Sequence, residues 1–201
     1  IKTFGQDKII LMEHNTDIFG QSMDISHSAN TQPPVRLRSP ETAQHATDVR
    51  DDLFMPELYR YTFPELVATN RECGEDEESY KAMAGFSFLY GLRFDMTIYR
   101  CCGSLRDIPR YAAYLKEISA LYEQYGDFLL RGRFVDSDGF TSDSENVLVK
   151  GWEGCNGGLA VSLWNPTGED QVVNLRSCKT GRAVTIIVPA ERVAAAVIDE
   201  A

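Results

Sequence analysis

Ionisable and polar side chains follow directly on a short apolar segment near the start of the chain. The apolar residues 9–12 run into Glu13, His14, Asn15 and Asp17. A short, wholly apolar run is typical of a strand buried on both faces of a parallel sheet. Since ligands and catalytic groups gather at the carboxyl ends of parallel strands, this junction predicts part of an active site.

Carboxyl groups are the residues here that could do chemistry. Glu13 and Asp17 flank the first strand end, and Glu65 follows Leu58 to Phe63, where aromatic and β-branched residues predict a second strand. Glycoside hydrolysis uses two carboxyl groups, roughly 5 Å apart for retention and about 6.5–9.5 Å apart for inversion. We expect Glu13 to be the best placed of the three. Glu13 could instead bind the substrate of such a reaction, a sugar, or it could hydrogen-bond a neighbouring arginine.

Other polar side chains near the two predicted strand ends are candidates for substrate binding. They are His14, Asn15, Tyr59 and Arg60. Each also has a structural alternative, such as an ion pair between Arg60 and a carboxylate of the sheet. Trp152 and Trp164 could form a sugar-stacking platform, although tryptophans in a sandwich more often belong to the core. We expect no metal site, because His27 and His45 lie in predicted loops and the cysteine spacing does not suit zinc.

Composition narrows the possible partners. The 201 residues carry a formal net charge of -10 at pH 7, with a pI near 4.8. Nucleic acid and anionic membranes both require a basic face, so neither is an expected partner. No apolar run approaches the roughly 20 residues of a membrane span. The five cysteines, an odd number, favour a reducing compartment, and a secreted or periplasmic location stays open. The sequence also holds no motif for acyl transfer, nucleotide binding or zinc proteolysis.

The pattern of elements changes about two thirds of the way along the chain. Helices are predicted over 41–52, 80–95 and 105–130, the last with a capping-box start at Ser104 and Asp107. Beyond Arg133 five short strands are predicted, over 146–150, 158–164, 171–176, 182–188 and 192–198. This order predicts an α/β part over 1–135 and a small antiparallel β-sandwich over 136–201.

Four short segments resemble the C-terminal part of large bacterial glycoside-hydrolase-like barrel proteins. They are ILMEHN at 10–15, YRYTFPE at 59–65, GLRFD at 91–95 and LLRGRF at 129–134. More distantly the chain is similar to α-galactosidase-type and endo-α-N-acetylgalactosaminidase-type enzymes, which also carry a β-sandwich after the barrel. The resemblance implies the C-terminal portion of a TIM (β/α)8 barrel, with Lys8 to Met12 as its seventh strand and Leu58 to Phe63 as its eighth. In those relatives the catalytic carboxylates lie on earlier strands, which leaves Glu13 as a substrate-binding alternative.

These observations predict a cofactor-free glycosidase that acts on an oligo- or polysaccharide. The chain opens at Ile1, without an initiator methionine, and almost at once enters a predicted core strand. We therefore expect it to be part of a larger protein, with the missing N-terminal part as its partner and little activity by itself. The alternative is a non-catalytic carbohydrate-binding or scaffold protein that keeps the barrel and the sandwich.

Overall fold

A computed structural model of the protein describes residues 7–13, 22–27, 56–74, 77–98 and 103–200. The helix predicted over 41–52 lies outside these residues. The helices are α1 (Pro56–Thr62), α2 (Glu77–Leu89) and α3 (Pro109–Leu129), with a 3-10 turn at Leu105–Asp107. The first four strands are β1 (Leu11–Glu13), β2 (Ile25–His27), β3 (Val67–Gly74) and β4 (Arg93–Ile98). Within this part of the chain, no helix combines the length and the apolar character needed to cross a membrane.

The first four strands form one parallel sheet whose strand order, β1-β2-β3-β4, follows the chain. Asn70 Nδ2 of β3 donates a hydrogen bond to Ser87 Oγ of α2 (2.9 Å), and Phe94 of β4 contacts Tyr122 of α3. The helices therefore pack on one face. A sequential order with helices on one face is typical of a barrel wall, not of a doubly wound sheet. The described strands form an open sheet and not a closed barrel.

The first strand is shorter and less buried than the apolar run predicts. The strand expected over Lys8 to Met12 is reduced to β1, which is three residues long. Ile9 is 71% exposed and Leu11 is 52% exposed, so burial on both faces is wrong for the residues described here. The described helices lie on one face of the sheet, and Leu11 lies on the other.

The strand predicted over 58–63 is wrong, because this segment is helix α1. Pro56 begins the helix, and its fixed φ suits the first helical turn. Thr62 Oγ1 donates a hydrogen bond back to the Leu58 carbonyl (2.7 Å), and Tyr59 contacts Phe63 one turn later. Packing of one helical face therefore overrides the β propensity of the aromatic residues.

The helix predicted over 80–95 stops at Leu89. Gly91 has φ 61, a left-handed conformation that glycine adopts without the cost of a Cβ clash. The Gly91 amide donates to Phe88 O (3.0 Å), and the Leu92 amide donates to Ser87 O (2.8 Å), which is the Schellman pattern at a helix end. This stop frees the segment from Arg93 onward to form β4.

The helix predicted over 105–130 is confirmed in the main. A capping box precedes it, in which Asp107 Oδ2 accepts from the Ser104 amide (2.7 Å) and Ser104 Oγ accepts from the Arg106 amide (3.3 Å). That box caps the 3-10 turn, and α3 itself begins at Pro109. The apolar stripe of α3 buries Tyr111, Tyr114, Ile118 and Leu129.

Seven antiparallel strands form the sandwich in two sheets, ordered β10-β9-β6 and β11-β8-β7-β5. The five predicted strands are confirmed, with ends shifted by a few residues. Two further strands precede them, so that the first sandwich strand begins at Arg133. The strands are β5 (Arg133–Asp136), β6 (Phe140–Ser142), β7 (Leu148–Glu153), β8 (Leu159–Trp164), β9 (Gln171–Ser177), β10 (Ala183–Val188) and β11 (Val193–Asp199).

One hydrophobic core joins the helices to the sandwich. It contains residues of α2 and α3 together with Phe134, Trp152, Trp164 and Val193. Trp152 is 0% exposed and Trp164 is 2% exposed, which confirms both as core residues and rules out a stacking platform. A second core lies between the two sheets, around Val161, Leu163, Val173, Leu175 and Ile198.

Two helical glycines should respond in opposite ways to alanine. A Cβ at Gly85 of α2 would lie 2.3 Å from Trp164 Nε1, whereas a Cβ at Gly126 of α3 would have Leu130 Cδ1 as its nearest neighbour, at 3.7 Å. We expect Gly85→Ala to lower the free energy of unfolding by about 2 kcal/mol through overpacking. Gly126→Ala should raise it by about 0.5–1 kcal/mol, since alanine has less backbone entropy to lose. Urea denaturation followed by circular dichroism measures both, and stabilisation by Gly85→Ala would contradict the packing described.

Candidate functional site

The parallel sheet is organised in rows that change from apolar to polar along the strands. Leu11, Ile25 and Val67 occupy one register row across β1, β2 and β3. Two residues further on, β1 and β2 pair Glu13 with His27, and β3 and β4 pair Thr69 with Arg93 and then Arg71 with Asp95. The carboxyl-terminal half of the sheet therefore gathers the groups that could do chemistry.

Alternation along the strands sets which described residues turn away from the helices. Phe94 contacts α3 and Asn70 bonds α2, so their neighbours Thr69, Arg93 and Asp95 lie on the opposite face. Arg93 is exposed and Asp95 is half-buried. In a closed barrel this face lines the interior, where the carboxyl ends of the strands carry the chemistry.

The predicted site residues fall in three places. Glu13 is the last residue of β1, in register with His27, as expected for a residue at a strand end. His14, Asn15 and Asp17 lie outside the described residues. Glu65 does not follow a strand as predicted. It is exposed in the turn that precedes Val67, at the amino end of β3, and therefore lies at the opposite end of the sheet from Glu13.

Tyr59 and Arg60 lie on α1, and the Tyr59 hydroxyl lies near Ser26 of β2. Arg60 is 7% exposed, and its guanidinium carbon is 5.1 Å from the centre of the Trp152 ring. Its Nε has no hydrogen-bond partner among the residues described here. Burial lowers the pKa of Arg60 and raises that of Tyr59. The Arg60 side chain therefore serves the packing between α1 and the sandwich, and Tyr59 packs against the same core.

Sequence reasoning missed Arg93 and Asp95, because it assigned them to the end of a helix. The signal was present in the segment 91–95, where glycine is followed by alternating apolar and polar residues. Gly91 is a helix stop, and period-2 alternation after it is typical of a strand. The pairing of Asp95 with Arg71 had no local signal, since the two residues lie on different strands.

A second polar cluster lies where α1 and the end of α2 meet the sandwich. Lys150 Nζ bonds Glu57 Oε1 (2.8 Å) and Asp136 Oδ1 (2.6 Å), and it lies 5.5 Å from the centre of the Tyr90 ring. Tyr90 donates its hydroxyl proton to Glu57 Oε1 at 2.5 Å. We call Glu57, Tyr90, Asp136 and Lys150 the lysine cluster. Its members form hydrogen bonds and ion pairs with one another, which is typical of a structural junction.

Burial and pairing oppose each other in the pKa values of the lysine cluster. Burial alone would raise the pKa of Glu57, but the hydrogen bonds from Lys150 and Tyr90 outweigh it and leave that pKa lowered. Burial would lower the pKa of Lys150, but its bonds to Asp136 and Glu57 leave it raised. Burial and the bond to Glu57 both raise the pKa of Tyr90. The cluster therefore holds its charges over a wide range of pH.

The lysine cluster should make folding stability depend on acid pH through Glu57. Its pKa is lowered from an ordinary 4.5, so the cluster's contribution is complete above that value and is lost as pH falls through the folded pKa. We expect the parent protein to lose stability faster than Glu57→Gln between about pH 5 and pH 3. Glu153→Gln is the matched control, because the ion pair of Glu153 with Arg133 is exposed. Parallel pH profiles of the parent and Glu57→Gln in urea denaturation would contradict this prediction.

Among the described residues, no group of three or more histidine, cysteine, aspartate or glutamate side chains could hold a metal ion. The polar groups that the described strands carry in this half of the sheet include carboxylate, guanidinium and hydroxyl groups. These groups can transfer protons, stabilise charge and bind sugar hydroxyls without a cofactor.

The fold has a counterpart among solved structures. It is similar to the solved structure of a noncanonic maltogenic alpha-amylase, AmyB from Thermotoga neapolitana, with a TM-score of 0.50 and 12% sequence identity. The match covers 96% of this chain and 53% of the amylase chain, so the chain spans about half the length of that structure. At this identity the likeness concerns the fold alone. No family model matches the sequence, and no curated protein matches it.

Proposed function

We propose that the chain is the C-terminal part of a glycoside hydrolase whose whole barrel hydrolyses O-glycosidic bonds of oligo- or polysaccharides with paired carboxylates. The observation that carries the proposal is the order of the layers. Four parallel strands run in chain order under helices on one face, and an antiparallel sandwich follows the last helix. The likeness to the amylase fold over 96% of the chain supports the same order.

The strand positions in this proposal differ from those implied by the family resemblance. The segment 58–63 is helical and cannot be the eighth barrel strand. If α3 is the last barrel helix, β4 is the eighth strand, β3 the seventh, β2 the sixth and β1 the fifth. The missing N-terminal part then supplies the first four strands, and it covers the face that leaves Leu11 52% exposed.

Glu13 and Asp95 are the carboxyl groups that we assign to the reaction. Glu13 ends β1, and Asp95 lies on β4 on the face turned away from the helices. One carboxyl group would protonate the leaving oxygen, and the other would attack the sugar or activate water. Arg93 lies on the same face as Asp95, two residues before it on β4. Tyr59, Arg60 and Glu65 have no role in this proposal. Asp17 stays a candidate carboxyl group, and His14 and Asn15 stay candidates for substrate contact.

The proposal is tested on the longest protein that the gene encodes, purified and assayed against a panel of α- and β-linked oligosaccharides. Release of reducing ends is the readout, and isothermal titration calorimetry on the same panel measures binding. We expect turnover of at least one sugar. Binding without turnover would overturn the enzyme assignment in favour of a carbohydrate-binding scaffold. A protein that neither binds nor hydrolyses any sugar of the panel would overturn both the enzyme assignment and the scaffold alternative.

A further inference from the structure

Among the described strands β10 pairs only with β9, and its other edge has none of the features that normally protect a sheet edge. β10 ends the three-stranded sheet, and its six residues, AVTIIV, contain no charge and no proline. Its register against β9 runs without a bulge from Ala183 to Val188. Exposed edges are usually protected by charges, proline, bulges or shortness, because unpaired backbone groups recruit other strands.

The three other edge strands that the structure describes in the sandwich are protected. β6 is only three residues long. β5 carries Arg133 and a register shift between Phe134 and Asp136, and β11 has a register shift between Val197 and Asp199. The absence of protection is therefore specific to β10 and is not a general property of these sheets.

The hydrogen bonds between β9 and β10 show which backbone groups are available. The Ser177 amide donates to the Arg182 carbonyl (2.9 Å), which marks this pair as a hydrogen-bonded pair of the ladder. Alternation then directs the amides and carbonyls of Ala183, Thr185 and Ile187 away from β9. Each of these three residues is exposed.

The surface beside this edge is apolar at one point and carries opposite charges at its two ends. Ile187 is 65% exposed, and its register partner Val172 is 60% exposed. Arg176 pairs with Ala183 at one end, and Lys179 lies in the adjoining turn. Gln171 pairs with Val188 at the other end, directly after Glu169 and Asp170.

Two further charges at these ends are already paired within the chain. Arg182 lies 3.5 Å from Glu200, and Glu191 lies 3.0 Å from Lys81. Asp199 lies close to Lys179, so Arg176 is the main remaining charge of the basic end, and Glu169 and Asp170 make the other end acidic. A surface of this kind matches a copy of itself turned by 180°, since each basic end then meets an acidic end.

We propose that the β10 edge is a homodimer interface, in which β10 of two copies pair antiparallel about a two-fold axis through Thr185. The register sets Thr185 opposite the second copy's Thr185 and Ala183 opposite its Ile187. About six backbone hydrogen bonds then form, and two three-stranded sheets become one of six strands. The basic end of each copy then lies beside the acidic end of the other. The proposal does not depend on the glycosidase assignment.

Sedimentation velocity across a micromolar dilution series tests the interface in the full chain. We expect the parent protein to dimerise, and Ile187→Lys to weaken dimerisation about 100-fold by placing a charge at the seam. Val172→Lys is the matched control. It adds the same charge to the same face one strand away from the seam, and it should change the dissociation constant by less than about threefold. Circular dichroism verifies that both variants are folded.

Ionic strength tests whether the charged ends contribute to the contact. Because the basic end of each copy lies beside the acidic end of the other, we expect the dimer to be weaker at high salt than at low salt. A parent protein that is monomeric throughout the dilution series would overturn the proposal. So would a dimer that Ile187→Lys leaves intact, or one that Val172→Lys weakens as much as Ile187→Lys does.

Discussion

Replacing Glu13 with glutamine in the full-length protein should lower kcat by about 10³-fold on any sugar that the parent protein hydrolyses. Glutamine keeps the size of the side chain but can neither give up nor accept the proton that general acid–base catalysis moves, and this step contributes typically 10²–10⁴-fold. Glu13 is expected to act because it is the last residue of β1, in register with His27. Steady-state kinetics of reducing-end release measure the change.

Glu65→Gln is the matched control for this prediction. Glu65 is exposed in the turn before β3, at the opposite end of the sheet, so its replacement should leave kcat within about twofold. If Asp95 is the second carboxyl group, Asp95→Asn should lower kcat by a similar factor. A rise in KM with unchanged kcat in Glu13→Gln would instead identify Glu13 as a sugar-binding carboxylate. An unchanged kcat/KM would remove Glu13 from the site.

The elements predicted correctly are those with strong local signals. α3 combines a long apolar stripe with a capping box, and the five predicted sandwich strands are separated by clear turn residues. Their local preference agrees with their final packing. For α1 the two disagree, since Tyr59, Tyr61 and Thr62 favour strands while Pro56 and the buried face favour a helix. Sequence periodicity over seven residues cannot decide between them.

β3 was missed because its sequence does not look like a buried strand. It includes Asn70, Arg71 and Glu72 within eight residues. Asn70 is 1% exposed, and burial is tolerated because its amide bonds Ser87 of α2. That partner lies 17 residues away. The bond therefore exists only once α2 has packed on the sheet.

The candidate site could be predicted only in part, for the same physical reason. The place of Glu13 at a strand end could be predicted because its signal, a polar residue after an apolar run, is local. The row that brings Asp95 beside Arg71 depends on the register of β3 with β4, which is set by tertiary packing. Likewise Arg60 looked like a strand residue, whereas its place above the Trp152 ring requires the sandwich to dock on α1.

Trp152→Ala should lower the free energy of unfolding by about 4 kcal/mol, the largest effect on stability that we expect in this chain. The side chain is 0% exposed, and its ring contacts Phe134 with centroids 5.1 Å apart. The indole nitrogen donates to Ser162 Oγ (2.9 Å), which in turn donates to the Leu89 carbonyl at the end of α2 (2.7 Å). Truncation removes apolar burial, leaves a cavity and breaks this connection.

Trp152→Phe separates the two contributions, because it keeps an aromatic ring and loses the indole hydrogen bond. We expect it to cost about 2 kcal/mol. Urea denaturation followed by far-ultraviolet circular dichroism avoids the loss of the tryptophan signal. Because the core that contains Trp152 joins α2 and α3 to the sandwich, every variant should unfold in a single transition. If Trp152→Ala melts the helices first and leaves the sandwich transition unchanged, the helices and the sandwich are independent and the shared core does not couple them.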